Sequence, residues 1–229
     1  MITMKKSFAS IAICSALFFT GVITTSASTD SNSNVQNAYY YIGGQEYEVP
    51  KEDIDSFINQ DDDFVIPQDS NKPEIKEGKF SQNIEPRGNA CYPGDRFDGS
   101  RTSAGFQKGR SGSRVINDTS NTLEEVSKLS SNTTISGYVS GSGSWGWGPI
   151  EATAGFEIGG SKTWYTSQST KIKVQPGDWG WIDYGTHSET WKGYYYYLSG
   201  DCYQHNKNYL TVKGPKYKAK LARTERYPY

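Results

Sequence analysis

The chain is poor in the residues from which most metal sites and helical cores are built. Among 229 residues there are 2 His, 3 Cys and 2 Met. His187 and His205 stand at no metal-ligand spacing. Cys14 falls in a leader, which leaves Cys91 and Cys202. Two cysteines in an exported chain read as one disulfide, so no thiol remains for a site. No metal and no cofactor is expected. Apolar residues are also short, at 34%, and aromatics supply 14 of those points. A helix bundle built on Leu, Ala and Met is therefore excluded. Past the leader, no apolar run reaches the length of a helical membrane span.

What the chain holds instead is 24 Gly, 17 Tyr and 6 Trp, a composition of strands and turns. Residues 1–27 open with Lys5 and Lys6, continue with an apolar run from Phe8 to Val22, and end at Thr25-Ser26-Ala27. That order is a secretory signal peptide cut near Ala27, with Gram-positive-type export to an extracellular location. Ile13 before Cys14 does not suit a lipoprotein site.

The formal net charge of -1 conceals a split. Residues 28–87 carry a net of -8, residues 88–229 a net of +5, and the signal adds +2. All six Trp and 20 of the 24 Gly lie after residue 87. The acidic segment predicts one short helix after Pro50, with Ile54, Phe57 and Ile58 at helical spacing. Residues 67–87 read as a linker. The segment is a propeptide covering a basic domain until cleavage near Arg87, or a solubilising arm.

From residue 88 the pattern is β. Leu123 to Leu129 fits a short helix or a strand edge. From Thr133, the odd positions Ile135, Val139, Trp145 and Trp147 are apolar and the even ones are mostly Ser. After Gly148-Pro149 the phase flips, and Ile150, Ala152, Ala154, Phe156 and Ile158 are apolar at even positions. Period-two alternation on both sides of a turn predicts an amphipathic β-hairpin. Its arms match the roughly 9–11 residues that a tilted strand needs to cross a bilayer. Glu151 and Glu157 both fall on the polar face. An ordinary soluble hairpin reads the same way, but a tip of Trp145, Trp147, Pro149 and Ile150 suits lipid better than water.

Ser169 to Val174 alternates and ends in the turn Gln175-Pro176-Gly177-Asp178. Trp179–Gly185 and Thr190–Leu198 predict two further strands, and Tyr209–Val212 a last one. Lys216, Lys218 and Lys220 then share one face in extended form. With Lys213, Arg223 and Arg226 they suit an anionic headgroup or wall polymer, or protect an edge strand. No nucleic-acid module is visible.

Little supports an enzyme. Gly137-Tyr138-Val139-Ser140-Gly141 misplaces the serine of a nucleophile elbow. Gly155 to Thr163 lacks the context of a phosphate loop. Asp178 and Asp183 leave a glycosidase pair open, because sequence does not give their separation.

The arrangement resembles the aerolysin-like β-pore-forming toxins, in particular the epsilon-toxin and mosquitocidal-toxin branch. The matching features are Asn117-Asp118-Thr119, Ser/Thr-rich alternation around the hairpin, and the turn Val174-Gln175-Pro176-Gly177. They span roughly residues 112–200. It is also similar to short secreted proteins of Gram-positive bacteria. The resemblance implies an elongated twisted antiparallel sheet or sandwich, and a homo-oligomer on a membrane. The expectation is a mainly β fold with a long amphipathic hairpin, preceded by a poorly ordered N-terminal segment with one short helix. The expected function is that of a secreted bacterial pore-forming or membrane-active protein, acting on a lipid membrane or anionic cell surface. The alternative is a non-lytic protein using exposed Trp and Tyr on a glycan receptor.

Overall fold

A computed structural model describes residues 34–59, 91–156 and 158–228. The processing positions Ala27 and Arg87 and the leader lie outside these residues.

The chain opens with β1 (Val35–Ile42) and β2 (Gln45–Glu48), joined through Gly43-Gly44. Both glycines have positive φ, at +59° and +87°, as a two-residue hairpin turn demands. A 3₁₀ turn (Lys51–Asp53) and α1 (Ile54–Ile58) follow, where the sequence predicts the short helix. Then come β3 (Gly94–Ser111), β4 (Val115–Ile116), β5 (Leu123–Lys128), β6 (Thr133–Ser136) and β7 (Tyr138–Ser140). α2 spans Trp147–Ala154, and a second 3₁₀ turn spans Ile158–Gly160. Last are β8 (Ser161–Trp164), β9 (Ser169–Val174), β10 (Asp178–Leu198) and β11 (Gln204–Arg226).

The fold is mainly β and its pairings are antiparallel. The principal sheet has the order β2-β1-β11-β10-β3, with β4 also on β10 and β7 also on β11. Two separate ribbons, β5-β9 and β6-β8, complete it. The long hairpin β10-β11 is the spine. Its outer edge is covered by β7 at residues 211–213 and by β1 at residues 218–223.

Where the sequence predicts two strands, 179–185 and 190–198, the structure has one continuous β10. The intervening Thr186, His187, Ser188 and Glu189 are polar yet buried. Burial is tolerated because they have partners: Thr186 and Ser188 share a hydrogen bond of 2.8 Å, and Glu189 receives Lys216 at 3.0 Å. β11 likewise runs far past Val212, through Pro215. That proline sits between the parts of the edge taken by β7 and β1, where the register against β10 shifts.

Three apolar groups flank the spine. Tyr40, Val49, Ile54 and Phe57 pack on Ala219 and Leu221. Trp164, Ile172, Val174 and Leu129 pack on Ile182, Tyr184 and Ala222. Ile150, Ala154 and Phe156 pack on Phe97, Tyr195, Leu210 and Val212. The charge boundary at residue 87 is thus not a packing boundary, since residues 34–59 share a core with β11.

The disulfide joins Cys91 and Cys202 across 111 residues of sequence. It ties the segment before β3 to the β10-β11 turn. On the chain-entropy model, closing a loop of that size stabilises by about 5 kcal/mol.

Candidate functional site

The segment predicted as a hairpin is strand at its base and helix at its tip. β6 and β8 pair Thr133 with Trp164, Thr134 with Thr163, Ile135 with Lys162 and Ser136 with Ser161. The Gly137 N–H continues the ladder to the Gly160 carbonyl. Beyond this rung the arms part. β7 leaves to pair with residues 211–213 of β11.

The second arm, expected as a strand, winds into α2, which corrects the sequence expectation at its residues. The local reasons are legible. Pro149 falls in the first turn, where a missing N–H is harmless. Gly155 ends the helix at φ +69°, and its N–H reaches the Glu151 carbonyl at 2.8 Å. Trp147, Ile150 and Ala154 share a helix face, and Ile150 and Ala154 would also share an extended face. The Thr153 hydroxyl donates to the Phe97 carbonyl at 2.8 Å, fixing α2 against β3.

The predicted inserting residues are therefore distributed as follows. Ile135, Ile150, Ala154 and Phe156 are buried, and the Phe156 ring lies against Gly214. Val139, Trp147 and Pro149 are half-buried. Trp145 is 38% exposed, and Ala152 is exposed. The side chain of Ile158 lies outside the described residues.

The basic strand does not present its cations outward together. Arg223 Nε meets Asp183 Oδ2 at 2.8 Å, and Lys220 Nζ meets Glu46 Oε2 at 2.6 Å. Lys216 Nζ meets Glu189 Oε1 at 3.0 Å, and Arg226 meets Asp178 at 3.4 Å. Lys218 lies over the Trp164 ring at 5.2 Å. Lys213 is half-buried opposite Tyr138 of β7. Four of these six cations meet carboxylates: Glu189, Asp183 and Asp178 of β10, and Glu46 of the acidic segment. Burial alone would raise the Glu46 carboxyl, but hydrogen bonds from Lys220 and Tyr41 hold it below its usual range.

Asp183 is fully buried. Beside Arg223 it receives Ser111 Oγ at 2.5 Å, Trp181 Nε1 at 3.1 Å and Lys108 Nζ at 3.2 Å. His187, four residues further along β10, is buried and stacks on Phe57 at 4.8 Å. Burial first, then Lys216 and Arg101, pushes the imidazole down to about 4. Among the described residues, no three His, Cys, Asp or Glu side chains are grouped to hold a metal ion.

A cleft of about 560 Å³ opens where the loop before α2 meets the β10-β11 turn. Asp95, Trp145, Tyr197, Asn206, Lys207 and Asn208 line it. Of these, sequence reasoning singled out only the aromatic residues Trp145 and Tyr197. The polar run 204–208 carries no periodicity, and only the fold brings it opposite residues 143–146.

No protein-family model matches the chain, and no curated protein matches it. A structural similarity exists to the crystal structure of a candidate pore-forming toxin from Bacteroides vulgatus ATCC 8482. Identity is 12%, the TM-score is 0.28, and the match covers 58% of this chain and 57% of that one. The chain thus spans little over half the length of that structure. A TM-score of 0.28 carries over neither a fold nor an activity.

Proposed function

We propose that the chain is a secreted, membrane-active protein that oligomerises and inserts Ile135 to Ile158 as a transmembrane β-hairpin. The observation that supports it is the β6-β8 register. Continued rung by rung, it pairs Gly137 to Trp147 with Gly160 to Ile150 and leaves Gly148-Pro149 as a two-residue turn. Each arm beyond the existing base then holds 11 residues, close to what a tilted strand needs.

The same register sorts the faces. Ile135, Val139, Trp145 and Trp147 fall on one face with Ile150, Ala152, Ala154, Phe156 and Ile158. Ser136, Ser140, Ser142, Ser144, Glu151, Thr153 and Glu157 fall on the other. A slip of one residue would mix the two sets. Lys162 beside Ile135 marks the end of the apolar face at the base. One hairpin supplies two strands, and a closed barrel needs about eight or more, so insertion requires several copies. In the folded form Ile150, Ala154 and Phe156 of the second arm are sheltered against the spine.

Dye release from liposomes by the full secreted chain tests this, with two lysine variants. Ala152 is exposed in α2, and lysine is a good helix former, so Ala152→Lys keeps the fold. In the hairpin it meets lipid, at about 2–4 kcal/mol per copy near the midplane. Ser142→Lys faces the lumen. The expected result is leakage abolished by the first and retained by the second. Equal effects, or no leakage from the wild-type chain at any lipid composition, would sink the reading.

A further inference from the structure

We propose that the cleft between the 143–146 loop and the β10-β11 turn binds a neutral oligosaccharide. Its walls have the chemistry that sugars use. Trp145 and Tyr197 are 38% and 41% exposed and offer ring faces for the C–H side of a pyranose. The amides of Asn206 and Asn208 and the carboxylate of Asp95 offer donors and acceptors for adjacent hydroxyls. The volume of about 560 Å³ lies within the range of small-ligand sites, about 300–1,000 Å³. The charged lining is one carboxylate, Asp95, and one ammonium, Lys207, which lies over the Tyr194 ring at 4.4 Å. No excess positive charge is present to select a phosphate, sulfate or sialic acid.

The cleft is also built rather than incidental. The Gly146 N–H donates to the Tyr195 hydroxyl at 3.0 Å, fixing the loop to β10. Gly143, at φ +98°, lies so close to Asn208 that a Cβ there would sit 2.3 Å from the amide nitrogen. Asn206 is held in the left-handed region at φ +52°, and its carbonyl accepts Asn208 Nδ2 at 2.8 Å. The disulfide ties down the adjoining turn at Cys202. Such preorganisation lowers the entropic cost of binding. Tyr92, Trp145, Tyr194, Tyr197, Tyr203 and Tyr209 are all exposed at this end of the spine. A concentration of exposed aromatics is characteristic of recognition surfaces.

One wall, residues 143–146, belongs to the first arm of the hairpin. A sugar held between both walls therefore binds the folded form and delays extension of that arm. This coupling rests on the insertion proposed for Ile135 to Ile158, whereas binding itself does not.

The test applies the full secreted chain to an array of neutral host-type glycans, neutral microbial polysaccharides, and sialylated or sulfated glycans. Tyr197→Ala and Asn206→Gly serve as variants. Both positions are exposed, and glycine adopts the backbone of Asn206 without strain. Binding to neutral glycans, weakened at least tenfold by either variant with the thermal midpoint kept, is the expected result. The class bound separates a host receptor from a microbial one. No binding, binding confined to the anionic glycans, or binding indifferent to both variants overturns the proposal. The array contains no membrane, so its failure leaves the leakage assay standing, and the converse also holds.

Discussion

The Gly137 N–H donates to the Gly160 carbonyl, one rung past the last β6-β8 strand pair. Neither glycine has room for a side chain. A Cβ on Gly137 would lie 2.9 Å from Trp147 and from the Lys213 carbonyl, and one on Gly160 would lie 3.2 Å from Trp147. At this junction the ladder stops, because β7 turns to β11 and α2 turns to β3. The segment is strand below the junction and stored helix beyond it.

That division makes Gly148 a test of the stored form. It lies in α2, and a Cβ added there would meet nothing within 4 Å, so Gly148→Ala fits the helix and stabilises it by about 0.5–1 kcal/mol. In the hairpin the same residue opens a Gly-Pro turn of the type that requires positive φ, which alanine resists by about 1–2 kcal/mol. Both effects oppose extension. The thermal midpoint should rise by about 2–4 °C per kcal/mol, and leakage should slow about fivefold or more. Faster leakage at an unchanged midpoint contradicts a helix-to-strand conversion.

Much of the strand layout is legible from period two alone. Ser169 to Val174 is β9, and the turn predicted at Gln175–Asp178 is present, with Gly177 at φ +77°. The stretch 123–129, open between helix and strand, is β5. Three things were not legible. β3 carries few apolar residues because it lies at the sheet edge, and so shows no alternation. The polar centre of β10 reads as a break because its partners are remote in sequence. Residues 147–154 satisfy both periods, and packing on Phe97, Tyr195 and Leu210 decides for the helix. The cleft fails for the same reason as the β10 centre: Asp95, Tyr197 and Asn206 meet only after folding.

His187 makes stability depend on acid. Its folded value of about 4 lies below the ordinary 6.5. Above pH 6.5 the ring is neutral in both folded and unfolded chains and contributes no slope. Between pH 6.5 and 4 only the unfolded chain takes the proton, so stability falls by up to about 3 kcal/mol and then levels off. Lys216 and Arg101 oppose the charge, and Phe57 of α1 covers the ring. Urea unfolding at pH 7.5, 5.5 and 4.5 should show this loss, and His187→Phe should reduce it. An identical pH slope in that variant assigns the acid sensitivity to other groups.

Two ion pairs near the C-terminal end of β11 should respond unequally to loss of a charge partner. Asp183→Asn leaves Arg223, 8% exposed at its side chain, without its carboxylate, which costs about 3–5 kcal/mol. Arg226→Ala removes a cation that is 73% exposed and 3.4 Å from Asp178, which costs under about 1 kcal/mol. Chemical denaturation at wild-type slope measures both. Comparable losses would mean that the interior pair is not the stronger constraint.

Cleavage near Arg87 should not by itself free the acidic segment. β1 is paired with β11 from Val35–Arg223 to Tyr41–Lys218, Phe57 is fully buried, and Lys220 is bound to Glu46. These interactions are indifferent to a cut outside them. With a site-specific protease sequence placed at residue 87, the severed fragment should co-elute with the body on gel filtration and leave it in denaturant. Phe57→Ala, at a cost of about 3–5 kcal/mol, should let the fragment go under native conditions. Immediate release from the wild-type chain would show that the linker, not β1 and α1, holds the segment in place. Retention instead means that any activating signal must act on the β1-β11 seam as well as on the peptide bond.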